Sequence, residues 1–191
     1  VNLFHEQPFM IDIEPGHYIK GMHNLMNAHF DLRNYKKFEE VLDEFSTFAQ
    51  SKIADKHINN RVQTFVYLMS ARINQHLITG TFNEGLALIP YTEKKLANYT
   101  LFLDRHRVLV FNYKIATLYF GAGNYGKCVD YIRKIINDVV DLRQDLQCYA
   151  RLLHLIAHYE LGNTEIIEHL VKSVYRFMAK MENLSVVEEE I

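Results

Sequence analysis

A short phrase recurs four times along this chain and constrains its fold more than any other feature. It reads Ala28-His29-Phe30-Asp31-Leu32-Arg33-Asn34-Tyr35-Lys36-Lys37-Phe38 and then Gln75-His76-Leu77-Ile78-Thr79-Gly80-Thr81-Phe82-Asn83-Glu84-Gly85. It returns as Leu118-Tyr119-Phe120-Gly121-Ala122-Gly123-Asn124-Tyr125-Gly126-Lys127-Cys128 and as Ala157-His158-Tyr159-Glu160-Leu161-Gly162-Asn163-Thr164-Glu165-Ile166-Ile167. Each copy reads as a helix end, a tight turn and a new helix start. Gly80, Gly123 and Gly162 stand where a helix closes through a left-handed residue, and Arg33 takes that place in the first copy. Repeats of this kind build stacked helical arrays, in which each unit buries its apolar face against its neighbours.

The spacing of apolar residues after each turn supports the same reading. Tyr35, Phe38, Leu42 and Phe45 form one stripe, and Phe82, Gly85, Ile89 and Thr92 hold the same places in the second copy. Tyr125, Cys128, Ile132 and Ile135 follow in the third, and Thr164, Ile167, Val171 and Val174 in the fourth. Steps of three, four and three put each set on one helix face. The pattern predicts an all-α fold of helices near 16–31 and 35–53, 60–78 and 82–98, 102–121 and 125–139, then 143–161 and 164–182. Residues 1–15, with Pro8 and Pro15, read as an irregular lead-in, and Pro15 suits a helix start. In the tail, residues 183–191, Ser185 and Glu188 have capping-box spacing and predict the start of a further helix. The chain opens on Val1, so both ends are expected to be cuts through a longer array, with apolar ends prone to self-association.

Composition narrows the function classes. The net charge of −2, with both signs interspersed, lacks the basic excess of a nucleic-acid or anionic-membrane surface. No apolar run reaches the roughly 20 residues of a membrane helix, and a cytoplasmic protein is expected. Cys128 and Cys148 are the only cysteines, too few for a disulfide framework, and read as free thiols.

The run Asn27-Ala28-His29-Phe30-Asp31-Leu32-Arg33-Asn34-Tyr35-Lys36-Lys37-Phe38, and above all Gly123-Asn124-Tyr125, resembles the turn of the tetratricopeptide repeat family. The resemblance covers roughly residues 17 to 182. It departs from the family in its spacing: the copies lie 47, 43 and 39 residues apart, counted from Tyr35 to Phe82 to Tyr125 to Thr164, against a period of about 34. The usual small residue after the turn is Phe38 or Ile167 in two copies, and the closing Pro is absent. The resemblance implies a divergent, elongated array: a right-handed α-α superhelix of about four antiparallel helix pairs over residues 16–182. It also implies that first helices line a concave groove. Carried over residue by residue, the groove positions are His23, Asn24 and Asn27; Tyr67, Ser70, Ala71 and Asn74; Val110, Tyr113, Lys114 and Thr117; and Tyr149, Leu152 and Ile156. His23, Asn27, Tyr67, Asn74, Tyr113 and Lys114 are the leading partner-binding candidates. Of the Lys and Asn set with which some members clamp a peptide carboxylate, only Asn27 and Lys114 match.

Catalytic motifs are not found. Gly121-Ala122-Gly123 lacks the third glycine and the strand of a dinucleotide loop, and there is no P-loop or G-x-S-x-G. His154 and His158 have the i, i+4 spacing of a zinc pair, but the metalloprotease Glu is missing from His-Leu-Ile-Ala-His. His158 aligns with His29, His76 and Tyr119, a place where the family carries a packed, bonded tyrosine, so a core role is expected rather than a metal. The reading is a non-catalytic scaffold, without cofactor, that binds a protein or peptide and neither nucleic acid nor membrane. The alternative is the peptide-sensing repeat domain of a bacterial regulator whose DNA-binding or effector domain lies outside this stretch.

Overall fold

The computed structural model describes residues 1–137 and 144–189, with side chains described through residue 180. Among the described residues it is all-helical, with no strand. The chain divides into two compact units, one of Val1–Thr79 with Pro90–Leu103, the other of Gly80–Ile89 with Asp104–Ile191.

In the first unit the helices are α1 (Asn2–Glu6), α2 (Met10–Ile13), α3 (Pro15–Asp31), α4 (Tyr35–Phe48), α5 (Lys52–Asp55) and α6 (Ile58–Thr79). α3 packs on α4 and α6, and α5 packs on α6. Their core holds Ile19, Met22, Met26, Phe38, Leu42 and Phe45, all nearly inaccessible to water. The lead-in is more ordered than expected, since it forms α1 and α2. Phe4 meets the Tyr18 ring edge-on at 5.4 Å, and Tyr18 meets Phe48 at 4.9 Å. The Tyr18 hydroxyl donates to Glu44 at 2.8 Å, and His5 Nε2 lies 2.9 Å from the same carboxylate oxygen. Apolar Phe4 and Ile11 thereby seal the end of the core.

The second unit contains α7 (Phe82–Leu86), α9 (Arg105–Gly121), α10 (Tyr125–Ile136), α11 (Gln144–Glu160) and α12 (Thr164–Glu189); α8 (Ile89–Asn98) begins at its last residue before Pro90. α9, α10, α11 and α12 pack in succession, and α7 packs on α9. Ile115, Ala116, Cys128, Ile132, Ile135 and Ala150 are fully buried at the centre.

Three expected helices differ in extent, each for a local reason. The helix over 82–98 is broken at Ala87-Leu88. There the Ala87 and Leu88 amides donate to Glu84 and Gly85, three residues back, and Pro90 has no N–H to continue the ladder. The helix over 35–53 stops at Phe48, because Ser51 is extended (ψ 155°) and its hydroxyl caps α5 by accepting from the Ala54 amide at 3.2 Å. α9 starts at Arg105 rather than 102, since the Asp104 carboxylate accepts the Arg107 amide at 2.8 Å. At the far end α12 continues through Glu189, so Ser185 lies within a helix and not at a new cap. Residues 138–143, 190 and 191, on which parts of the expected helices at 125–139 and 143–161 and of the tail fall, lie outside the described residues.

All four turns carry the expected left-handed residue: Arg33 at φ 56°, Gly80 at 71°, Gly123 at 74° and Gly162 at 72°. Three of them share one hydrogen-bond pattern. Arg33, Gly123 and Gly162 donate to Phe30, Phe120 and Tyr159, while Asn34, Asn124 and Asn163 donate to His29, Tyr119 and His158. This is a Schellman closure, which satisfies carbonyls that the helix end leaves open. Asn34 and Asn124 then cap the following helix by accepting the Lys37 and Lys127 amides.

In three copies the last three members of each stripe are buried, while the first is not: Tyr35 is exposed, and Phe82 and Tyr125 are half-buried. Phe38, Leu42 and Phe45 are inaccessible, as are Gly85, Ile89 and Thr92, and Cys128, Ile132 and Ile135. The fourth departs: Val174 is buried, but Val171 is 48% exposed. α10 packs against both α9 and α11, whereas α12 packs chiefly on α11 and buries a narrower face. Both thiols are free; burial pushes that of Cys128 up to about 12. No helix among the described residues is long and apolar enough to cross a membrane.

Candidate partner-binding site

α3 and α6 bring three of the six leading candidates together in the first unit. The His23 imidazole lies flat on the Tyr67 ring, with centroids 3.8 Å apart and planes 5° from parallel. Asn27, one turn further along α3, places its amide nitrogen 3.1 Å from His23 Nε2. His23 and Tyr67 are half-buried and Asn27 is exposed. The packing of α3 on α6 sets the stack, and the i, i+4 spacing of α3 sets the amide. A flat double ring with a polar rim offers large contact area with little rotamer freedom left to lose.

The other three candidates are less open. Asn74 is half-buried on α6, one turn from Ala71, which lies in the first core and is closed to any groove. Tyr113 packs against the core of the second unit; burial, then Tyr149 and Cys128, raise its hydroxyl above the usual tyrosine range. Lys114 is half-buried on α9, and burial lowers its ammonium to about 8. Among the further groove positions, Tyr149 and Ile156 on α11 are open to water, 57% and 45% exposed.

His154 and His158 form a hydrogen-bonded relay rather than an open chelate. His158 is buried, as its alignment in the repeat predicts, and its Nδ1 lies 2.9 Å from the Asn163 amide nitrogen. That amide donates to Nδ1, so the His158 proton sits on Nε2 and points to His154 Nε2 at 3.2 Å. His29, at the same repeat position, differs in leaving a buried Nδ1 without a partner. Burial first, then His158, Arg133 and Arg151, lower His154 to about 4. Among the described residues no group of three or more His, Cys, Asp or Glu is placed to hold a metal ion.

The relay has a pH consequence with a definite sign. His154 is held near 4 when folded, against about 6.5 in an unfolded chain. Between these values the unfolded chain binds a proton that the folded chain rejects, so stability is full above about 6.5 and falls as the pH drops toward 4. Urea unfolding across this window should show a steeper decline for the natural protein than for His154→Gln. Parallel curves would show that the relay does not resist protonation.

Sequence reasoning missed the helix-capping roles of Asn34, Ser51, Asp104 and Asn124, although each stands directly before a helix, where the residue type alone is a signal. Comparison of the chain with protein-family models, with curated proteins and with solved structures gives no match.

Proposed function

We propose that this chain is a non-catalytic scaffold that holds a protein or peptide on the faces of its first helices. In this reading the helical hairpins continue one another as a right-handed solenoid of four tetratricopeptide-like pairs. The Schellman closure is a common helix ending, but it falls at the same place in three copies of the recurrent phrase, which supports a repeat origin. The single observation that carries the function is the His23–Tyr67 stack with Asn27 at its rim. Stacked rings are preorganised, and an exposed amide can meet an extended peptide backbone as donor and acceptor at once. Helical arrays use surfaces of this kind for recognition.

The test is capture of a binding partner with the purified chain, followed by affinity measurements on variants. Asn27→Ala and Tyr67→Ala should each weaken binding about ten- to a hundredfold, in line with the loss of one buried hydrogen bond or one aromatic anchor. Lys37→Ala, on the exposed side of α4, should bind as the natural chain does. Equal affinity for all three variants would place the partner elsewhere.

A further inference from the structure

We propose that the first unit contains a binding site for a small organic anion with an apolar body, separate from the ring stack on α3 and α6. A cavity of about 320 Å³ lies among α4, α5, α6 and α8, lined wholly by residues of this unit. That volume falls at the lower end of ligand pockets, which span roughly 300–1,000 Å³.

Its charge is unbalanced. Arg61, Arg72 and Lys95 line it, and Asp55 is the one carboxylate among the lining residues. Asp55 is taken by Arg61 at 3.5 Å. Among the described residues Lys95 has no carboxylate partner: its ammonium meets the Tyr99 hydroxyl at 3.4 Å and the Tyr91 and Tyr99 ring faces at 5.7 and 5.3 Å. Arg72 makes no ion pair or hydrogen bond among the described residues, although it is half-buried. A guanidinium so placed has lost part of its hydration without gaining a partner, and a ligand carboxylate or phosphate would supply one in bidentate geometry.

Thr64 belongs to the same wall. Thr64 is 5% exposed, and its hydroxyl has no hydrogen-bond partner. A threonine inside a helix commonly returns its proton to the carbonyl one turn back; Thr64 does not. Buried polar groups are nearly always satisfied; this oxygen is itself closed to water, so it leaves the wall polar without being a direct ligand contact. The remaining wall combines polar Ser46 and Gln50 with apolar side chains and the rings of Phe65, Tyr91 and Tyr99. Phe65 packs against Tyr99 at 5.6 Å and against Tyr91 at 6.3 Å. Cationic groups beside rings select an anionic head on an apolar or aromatic body, not an inorganic ion.

The probe is 1-anilinonaphthalene-8-sulfonate, an aromatic sulfonate whose fluorescence rises on binding. One saturable site is expected. Its affinity should fall about tenfold in Arg72→Gln and in Lys95→Gln, each checked for folding by circular dichroism, and should stay unchanged in Lys37→Ala. N-phenyl-1-naphthylamine, with the same rings and no sulfonate, should bind at least tenfold more weakly. 3-Phenylpropionate and phenyl phosphate should displace the probe, and the stronger competitor identifies the head group. Equal affinity in the natural chain and both cavity variants would overturn the proposal, as would tighter binding of the neutral amine or failure of both acids to compete.

Discussion

Phe45→Ala is expected to destabilise the first unit by about 3–5 kcal/mol, the range for removing a fully buried phenylalanine. Phe45 is inaccessible to water, sits at the last position of the α4 stripe and stacks on Phe48 with ring centroids 6.0 Å apart. Its loss would forfeit both the burial of the ring and the packing of the groups left around the void. Since whole domains hold only about 5–15 kcal/mol, such a change would remove a large share of that stability. Urea unfolding followed by far-ultraviolet circular dichroism measures it. Lys37→Ala, at an exposed position of the same helix, should stay within about 0.5 kcal/mol of the natural chain. A loss under about 1 kcal/mol for Phe45→Ala would mean that the α4 stripe is not the centre of the core.

Gly121→Val is expected to cost about 3 kcal/mol by overpacking. A Cβ at Gly121 would stand 2.3 Å from Cδ1 of Phe82 and 2.5 Å from Cγ, well inside contact distance and against the base of the ring rather than its tip. Rotation of the ring tip does not relieve a clash at Cγ, so either α7 or the end of α9 must move. The partner residue gives the decisive control. In a Phe82→Ala background the same valine should be tolerated nearly without cost, a coupling that a double-mutant cycle reads directly. Additive losses would show that the two residues do not touch.

Gly121 also shows where reading the chain alone reaches its limit. In Gly121-Ala122-Gly123 both glycines read as one helix-ending turn. Only Gly123 is left-handed, at φ 74°; Gly121 is the last residue of α9 and is small because Phe82, thirty-nine positions earlier, lies against it. Conformational demands are local and leave a local signature, which is why Arg33, Gly80, Gly123 and Gly162 were all legible. Steric demands come from distant parts of the chain and leave none. The stripes were legible for the same reason in α4 and α10. Val171 in α12 was not, because the period of a helix says which residues share a face but not how many neighbours will cover it. In the candidate site the i, i+4 pair of His23 and Asn27 was within reach of the sequence. The stacking of His23 on Tyr67 joins two helices forty-four residues apart and was not. Arg72 and Lys95 belong to the same class, since their shared cavity is a product of packing.

Arg33 sets the first hairpin apart from the other three in where its turn places the cost of folding. A glycine enters the left-handed region without steric penalty but surrenders the broad freedom it has in the unfolded chain, about 0.5–1 kcal/mol relative to alanine. Arg33, at φ 56°, gives up less freedom and instead carries roughly 1–2 kcal/mol of crowding between its Cβ and the carbonyl that follows. The two kinds of turn are therefore comparable in depth yet differ in origin, one entropic and the other enthalpic. Heating penalises the glycine closures more steeply than the arginine one, so the α3–α4 connection should lose the least of its share of stability as temperature rises.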